Sequence, residues 1–292
     1  MGVCVLKLVM TLLVRDEEDI LETNLDYHLS RGVDFVVATD NLSVDGTPAI
    51  LERYQRRGWL HLIHEPQDDY SQHIWVTRMA RMAATDFGAD WVINNDADEF
   101  WWPTADADLK ACLARVPDST LALQVPRFNF PVTAQQPDGV PFYQVQTWRD
   151  TASENPLGKP LPPKVCHRAI ADIEVAQGNH SVSRQGQRCP ATPGALEILH
   201  YPMRSYMQFE NKIRLGGAAY ARNTQLPVGT GHTWRRLYEQ WQAGELPAYY
   251  QSQVPTPDQV KNHIASGRYV TDDRLWAWMQ TGITSHTSVM NE

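Results

Sequence analysis

The first hundred residues alternate between short apolar runs and stretches whose apolar side chains recur at helical spacing. Apolar runs at residues 6–14, 34–39, 59–64 and 91–95 predict four strands. Helical segments between them end at Gly32, Gly58 and Gly88, the second starting at Thr47-Pro48 and the third capped by Ser71. This alternation predicts an α/β fold with a mostly parallel central sheet and flanking crossover helices.

Beyond residue 100 the periodicity is weaker. Residues 120–125, 165–182 and 196–200 predict further strands, the last of these being the final strand, and the proline-rich residues 126–163 predict irregular loop. From Tyr206 onward helical spacing dominates. We therefore expect a ligand-binding and catalytic domain over residues 1–205 and a helical C-terminal extension over residues 206–292.

Polar clusters follow three of the first four predicted strands. They are Arg15-Asp16-Glu17, Asp40-Asn41 and Asp96-Ala97-Asp98. A polar loop taken singly is most often just solvated, but open parallel sheets bind ligands beyond the carboxyl ends of their strands, where three such clusters would meet. Carboxylate oxygens suit Mg²⁺ or Mn²⁺, and an ion held by one or two carboxylates keeps positions open for phosphates. The expected ligand is a metal-bound nucleoside diphosphate.

Charge and composition narrow the partners. The chain has 26 basic and 34 acidic residues, a net charge of −8, and no dense basic run, which argues against a nucleic-acid partner. Its four cysteines are scattered and form no C-x-x-C pair, which favours a reducing compartment. We expect the cytoplasm, including the cytoplasmic face of a membrane. No run of eighteen apolar residues predicts a transmembrane segment. The oligomeric state is left open.

Four motifs occur in an order that is typical of one family. They are Val14-Arg15-Asp16-Glu17-Glu18, Thr39-Asp40-Asn41-Leu42-Ser43-Val44-Asp45-Gly46-Thr47, Asn95-Asp96-Ala97-Asp98-Glu99-Phe100 and His200-Tyr201-Pro202-Met203-Arg204-Ser205-Tyr206. Together they resemble the family 2 type glycosyltransferases, especially the branch whose metal motif ends in D-x-D-E-F. The clear match covers roughly the first hundred residues and a short later patch.

The resemblance implies the GT-A fold, which is a single Rossmann-like α/β domain. It also implies a nucleotide-diphosphate sugar as donor, a glycan or other hydroxyl acceptor, and inversion at the anomeric carbon. By position, Asp40 and Asn41 would lie against the base or ribose, and Arg15 belongs to the same nucleotide-sugar site. Asp96 and Asp98 would bind Mn²⁺ or Mg²⁺, with Asp96 also reaching the ribose. The apolar residues more common at positions 94 and 95 are replaced by asparagines.

Sugar transfer requires positive charge near the departing diphosphate. Arg78 and Arg81 on the third helix are the nearest basic candidates, and Arg78 is preferred. His180 and His200 are equal candidates for a further metal ligand, because neutral imidazole can complete an oxygen-rich site. An inverting enzyme also needs a general base. The sequence does not choose among the carboxylates Glu154, Asp172, Glu174 and Glu197. Glu99 is a further candidate, although its expected role is to brace the metal loop.

Three other classes of protein share parts of this pattern. A dehalogenase-type phosphatase would carry Thr or Val where Phe100 stands, and its motif would follow the first strand. A nucleotidyltransferase would usually have a glycine-rich phosphate loop after the first strand, whereas residues 15–18 contain no glycine. A carbohydrate-binding protein without turnover remains open. The aromatic-rich C-terminal region is expected to pack mainly in a core and to form an acceptor-side lid.

Overall fold

The computed structural model describes residues 6–105, 108–132, 139–227 and 229–289, with side chains described as far as residue 281. Cys4 lies outside these residues. The chain divides into a first unit, Met1–Arg127 with Pro162–Ile198, and a second unit, Phe128–Leu161 with Leu199–Glu292. The domain boundary expected between residues 205 and 206 falls inside the second unit. Residues 128–161 contact the later part of the chain there, since Val132 packs with Phe209 and Gln146 Nε2 donates to the Met203 carbonyl at 2.9 Å.

The first unit is built on a seven-stranded sheet of order β13-β6-β9-β4-β1-β2-β3. Its strands are β1 Leu8–Val14, β2 Phe35–Asp40, β3 Leu60–His64, β4 Trp91–Asp96, β6 Ala122–Val125, β9 Lys164–Arg168 and β13 Ala191–Pro193. Strands β4, β1, β2 and β3 are parallel neighbours, while β9 runs antiparallel to both β4 and β6. The predicted mostly parallel α/β sheet is confirmed.

Three helices follow the first three strands of this sheet. They are α1 Leu21–Ser30, α2 Thr47–Arg56 and α3 Gln72–Thr85. All four strands and all three helices predicted for the first hundred residues are therefore present. Each strand begins and ends within two residues of its predicted position. Ser71 precedes α3, but its side chain makes no capping hydrogen bond to that helix.

The remaining elements of the first unit are short. Residues 165–182 do not form one strand, because turns break them into several pieces. These elements are β5 Glu99–Pro103, α4 Leu109–Leu113, β10 Ile173–Val175, a 3₁₀ turn Gln177–Asn179, β11 Val182–Arg184 and β12 Gln187–Arg188. Strands β10, β11 and β12 form an antiparallel three-stranded sheet. The division between the units falls inside β7 Arg127–Asn129 and β14 Leu196–His200.

One face of the large sheet is buried by α3 and the small sheet. Apolar side chains from the sheet, the helix and β10–β11 share this core, including Val9, Val37, Met79, Val92 and Val175. Apolar burial of this kind is the main favourable contribution to folding. This core holds the sheet in place, and with it the polar residues at the carboxyl ends of its strands.

The second unit is mainly helical, as expected for the C-terminal region. Its elements are α5 Phe142–Val145, β8 Trp148–Asp150, α6 Tyr206–Arg222, α7 His232–Gln242, α8 Leu246–Gln253, α9 Pro257–Ala265, β15 Tyr269–Thr271 and α10 Arg274–Val289. Strand β15 pairs antiparallel with β8, so the strand at 196–200 is not the last. The helices bury a core that includes Phe209, Ile213, Leu237 and Leu246. Among the described helices, none is both long and apolar enough to cross a membrane.

Candidate functional site

The carboxyl ends of β4, β1 and β2 lie side by side in the first unit. Leu13 of β1 pairs with Asp96, and Val14 pairs with Asp40, so Arg15 follows directly between the two aspartates. The chain moves outward from β1 through β2 to β3 and then returns to place β4 on the other side of β1. Such a reversal is the position at which open α/β sheets bind their ligands. The three polar clusters expected at one edge are therefore at this switch point.

The two unusual asparagines before the acidic motif are held in a buried polar network. Thr11 Oγ1 donates to Asn94 Oδ1 at 2.9 Å, and Asn95 Oδ1 accepts from Trp101 Nε1 at 3.0 Å. Asn95 Nδ2 donates to Asn24 Oδ1 on α1, also at 3.0 Å. Buried amides are tolerated when they are hydrogen-bonded in this way. The asparagines thus tie β4 to β1, β5 and α1.

Asn24 also contacts the turn between β4 and β5. Its Nδ2 donates to the carbonyl of Ala97 at 3.0 Å and to that of Glu99 at 2.8 Å. His28 completes the network, because its Nε2 accepts from the Trp101 amide at 3.2 Å and its Nδ1 lies 2.8 Å from the Asn24 carbonyl. Burial lowers the pKa of His28 to about 4, which keeps the ring neutral with its hydrogen on Nδ1.

Two cations contact the acidic motif. Lys164 forms an ion pair with Asp96, and its Nζ lies 3.4 Å from Glu99 Oε1. Arg127 Nη1 lies 3.1 Å from the same Glu99 oxygen. Lys164 reaches the carboxyl end of β4 because β9 is antiparallel, which brings its first residue to that edge. These contacts fix the positions of two carboxylates of the motif.

The oxygen atoms of this motif fit a divalent cation. Asp98 and Glu99 each offer a carboxylate oxygen, and these oxygens lie within 4.8 Å of each other. Glu99 Oε2 and Asn179 Oδ1 are buried and find no hydrogen-bond partner among the described residues. Asn179 Nδ2 donates to Asp96 Oδ1 at 3.2 Å, which places this residue beside the motif. Hard oxygen donors of this kind are the ligands that Mg²⁺ and Mn²⁺ take.

Glu99 is fully buried, and its protonation differs from that of an ordinary glutamate. Burial raises the pKa of Glu99 to about 7, and the carboxylates of Asp96 and Asp98 act in the same direction, against the opposing charges of Lys164 and Arg127. A nearby divalent ion would favour the charged form. The contacts with Arg127 and Lys164 hold this carboxylate in place.

His180 lies next to this group, and His200 belongs to the second unit. His180 Nδ1 is 2.9 Å from the Pro163 carbonyl, and burial, with Lys164 and Arg127, lowers its pKa to about 4. The ring is thus neutral and carries its lone pair on Nε2. In the second unit, His200 Nδ1 is 2.7 Å from Asn129 Oδ1.

A glycine makes room for the His180 ring. Gly178 has φ +79°, and a Cβ placed on it would lie 2.7 Å from His180 Nε2. The next residue, Asn179, also has a positive φ, of +60°. This conformation brings Asn179 and His180 into the first unit's polar group through a single tight turn.

The other expected nucleotide-site residues brace neighbouring loops. Arg15 Nη1 pairs with Asp68 Oδ1 at 2.6 Å, and Asp40 Oδ1 accepts from the Ser43 amide at 3.3 Å. Asn41 Nδ2 donates to the Glu65 carbonyl at 3.1 Å and the Gln67 carbonyl at 2.7 Å. Both amide hydrogens of Asn41 are therefore engaged with the loop after β3, and its Oδ1 is the atom that could accept a bond from a base.

The arginines of α3 pair with other side chains and backbone. Arg78 Nη2 is 3.1 Å from Glu65 Oε2, and Arg81 Nε donates to the Ile173 carbonyl at 2.7 Å. Both line a surface pocket of about 500 Å³ with Glu174 and Ser183. The cations observed in contact with the acidic motif are Lys164 and Arg127, neither of which is expected from the sequence.

None of the candidate general bases stands out. Arg184, hydrogen-bonded to Asp172 at 2.6 Å, holds the pKa of that carboxyl below its usual value, which makes Asp172 a weak base. Glu174 accepts from Ser183 at 3.2 Å, and Glu154, in the second unit, lies 3.5 Å from Arg268. Glu197 is buried on β14.

No protein-family model and no curated protein matches the chain. Among solved structures it is similar to S. aureus TarS 1-349 in complex with UDP, at 13% identity over 76% of this chain and 67% of that chain, with a TM-score of 0.40. It is also similar to glucosyl-3-phosphoglycerate synthase from Mycobacterium tuberculosis in complex with Mg²⁺ and UDP, at 16% identity, 42% and 43% coverage and a TM-score of 0.29. A cytidylyltransferase from Leptospira borgpetersenii matches at 12% identity, 41% and 53% coverage and a TM-score of 0.27. At these TM-scores, the fold class rests on the strand order described above.

Proposed function

We propose that this chain is an enzyme of the GT-A fold that transfers a sugar from a nucleotide-diphosphate donor to a hydroxyl acceptor, with help from a divalent cation. The observation that carries the proposal is the alignment of Arg15, Asp40 and Asp96 on adjacent strand ends at the switch point of the sheet. Fold alone does not establish function, so the proposal depends on the side chains gathered there.

The charges of the acidic motif support a requirement for metal. Three carboxylates, Asp96, Asp98 and Glu99, stand against two cations, Lys164 and Arg127, which leaves one negative charge when all are ionised. A diphosphate would be repelled by this group. A divalent ion changes the sum to one positive charge, and when bound it stabilises the negative charge that develops on the departing diphosphate.

We assign each residue of this site a role in holding the donor or the ion. Asp96 and Asp98 would hold the ion, and Glu99 would be a further oxygen ligand, since its oxygen converges with that of Asp98. Lys164 and Asn179 would keep Asp96 in place. Lys164 and Arg127 would keep the carboxylates in one geometry before the anomeric bond breaks.

Further residues support nucleotide and metal binding in the same proposal. Asp40 would accept a hydrogen bond from the nucleoside, and Arg15 and Asn41 would shape the adjacent loops. Arg78 is retained as a diphosphate contact. His180 in the first unit and His200 in the second remain the candidates for a nitrogen ligand.

The acceptor side is proposed in broader terms. We propose inversion at the anomeric carbon, which needs a carboxylate to take the acceptor proton, and a lid role for the aromatic-rich second unit. The described cysteines Cys112, Cys166 and Cys189 are free and buried, which supports the cytoplasm as the proposed location.

A binding screen followed by product analysis tests the proposal. Thermal shifts would be measured with UDP-, GDP-, CMP- and dTDP-sugars, each with and without Mn²⁺. We expect one nucleotide class to raise the melting temperature, and to do so only with metal, since a ligand that binds the native state stabilises it by mass action. Absence of any nucleotide-dependent shift would overturn the proposal.

Product analysis separates the alternatives. A glycosyltransferase releases the nucleoside diphosphate from its donor, a nucleotidyltransferase releases pyrophosphate from a nucleoside triphosphate, and a carbohydrate-binding protein releases neither. The loop after β1 favours the first of these, because Arg15 is paired with Asp68 and residues 15–18 contain no glycine to cradle a triphosphate.

A further inference from the structure

We infer that Asn24 is a positioning residue for the metal-binding turn, acting through the backbone on both sides of Asp98. The inference rests on the proposed function, because it concerns how the acidic motif is kept ready for its ion. Asn24 lies on α1, more than seventy residues before the turn, and touches the backbone of the turn directly.

Both amide hydrogens of Asn24 are committed to this turn. Nδ2 donates to the Ala97 carbonyl at 3.0 Å and to the Glu99 carbonyl at 2.8 Å. These two carbonyls belong to the residues on either side of Asp98. Their hydrogen bonds therefore fix the backbone from which the Asp98 carboxylate projects, and they also fix the start of β5.

The orientation of the Asn24 amide is determined by its neighbours. Its Oδ1 accepts from Asn95 Nδ2 at 3.0 Å and faces His28 Nδ1 at 3.1 Å, and both of these groups carry hydrogen. The nitrogen must consequently face the two carbonyls. Asn24 is completely buried, so water cannot replace these bonds without a structural change.

A side chain of this kind acts on metal affinity through geometry. Groups that orient metal ligands typically change metal affinity or activity about 10- to 100-fold when they are removed. Asn24 sits on a helix anchored by the buried side chains of Leu21 and Leu25, which makes it a rigid support for a turn.

The test compares two variants that each lose buried hydrogen bonds. Asn24→Leu has a similar volume and cannot donate to the turn. Tyr27→Phe removes the hydrogen bond from the Tyr27 hydroxyl to the Trp101 carbonyl, 2.9 Å long, which joins the same helix to β5 without touching the turn. Both variants are expected to lower the melting temperature.

Mn²⁺ binding distinguishes positioning from simple stability. Free Mn²⁺ would be titrated against the folded parent and variants and followed by electron paramagnetic resonance, with UDP binding measured by calorimetry. We expect Asn24→Leu to weaken Mn²⁺ binding about 10- to 100-fold, and Tyr27→Phe to bind Mn²⁺ within about twofold of the parent.

Each outcome bears on a separate claim. If the parent binds Mn²⁺ and UDP but Asn24→Leu binds Mn²⁺ as tightly as Tyr27→Phe does, the positioning role is wrong and the proposed function stands. If the parent binds neither Mn²⁺ nor UDP, both fail. Should Asn24→Leu not fold, Asn24→Asp serves instead, because it keeps the acceptor for Asn95 and turns an oxygen toward the two carbonyls; unchanged Mn²⁺ binding in that variant would equally overturn the inference.

Discussion

The ammonium nitrogen of Lys164 lies 3.4 Å from Glu99 Oε1, and their side chains are 2% and 0% exposed. Lys164→Met would remove one of the two cations that contact the buried Glu99 carboxylate, and Arg127 would remain as its counter-charge. We expect the variant to lower the free energy of unfolding by about 2 to 3 kcal/mol, which is less than the cost of leaving a buried charge wholly unpaired. Urea denaturation measures this change.

A surface lysine provides the control for this variant. Lys110 pairs with Asp34 at 2.5 Å, but both side chains are partly exposed. Lys110→Met should cost no more than about 1 kcal/mol, since solvent screens such pairs. Equal losses in the two variants would contradict the assignment of Lys164 as an essential internal counter-charge.

Asp98→Asn should abolish metal-dependent donor binding while the protein stays folded. An amide keeps the size of the side chain but removes the negative charge that attracts the ion. The thermal shift produced by Mn²⁺ with UDP is the measurement. Asp172→Asn is the matched control, because Asp172 is a carboxylate on the surface of the same unit, paired with Arg184. A full shift in Asp98→Asn would show that this carboxylate does not bind the ion.

Stability should fall as the pH drops from about 6.5 to about 4. Burial lowers the pKa values of His28, His167 and His180 to about 4, so in this range the unfolded chain binds more protons than the folded chain. Each histidine contributes a slope of up to about 1.4 kcal/mol per pH unit. Glu99 has the opposite effect and offsets the contribution of one histidine. Because its pKa in the folded state is raised to about 7, the folded chain binds a proton there at a higher pH than the unfolded chain does.

His167→Leu tests this explanation with one residue outside the acidic motif. The fully buried His167 ring contacts the Arg168 carbonyl through Nδ1 at 2.8 Å, and its Nε2 has no partner among the described residues. Leucine loses one hydrogen bond there but fills a similar volume without a titratable group. We expect the slope of unfolding free energy against pH between about 6.5 and 4 to fall by about 1 kcal/mol per pH unit. Chemical denaturation at several pH values measures the slope, and an unchanged slope would refute the role of this imidazole.

Gly178→Ala should cost more than Gly186→Ala. Both glycines have positive φ, +79° and +75°, so both substitutions carry a similar backbone cost of about 1 kcal/mol. Only at Gly178 would the new Cβ meet another residue, His180, whose ring is held by the Pro163 carbonyl. We expect a further loss of about 1 to 3 kcal/mol at this position alone.

Donor binding supplies a second measurement for the glycine pair. Displacement of His180 also moves Asn179, which contacts Asp96, so Gly178→Ala should weaken Mn²⁺-dependent UDP binding. Gly186 lies on the turn between β11 and β12, where a Cβ meets nothing within 4 Å, and its variant should bind UDP normally. Equal stability and binding in the two variants would rule out tight packing under His180.

The first half of the sheet could be predicted because local signals and tertiary structure agree there. The apolar runs, the glycines after each helix and the polar strand ends all lie within a hundred residues, so Asp40 and Asp96 could be expected at one edge. Asn94 and Asn95 had no explanation in the sequence, since their partners lie on β1, α1 and β5.

Lys164 could not be identified from sequence because its role depends on strand direction. It opens an apolar strand after Pro162-Pro163, and a lysine at a strand end normally indicates a solvated position. Only the antiparallel pairing of β9 with β4 brings it to Asp96, 68 residues away in sequence. The 165–182 segment was misjudged for a related reason, because its turn at Gly178 and Asn179 depends on contacts outside the segment.

The chain leaves the first unit after Arg127 and re-enters it at Pro162, and these two points lie next to each other. Val125 is paired with Lys164, and Arg127 Nε donates to the Pro162 carbonyl at 3.2 Å, so the departure and return of the chain are fastened together. Residues 128–161 are thus topologically an insertion, and the entropy of closing such an excursion changes only slowly with its length. Natural variation or engineering can therefore change the length of this stretch, outside the positions that pack in the second unit, while Lys164 keeps its register in the sheet.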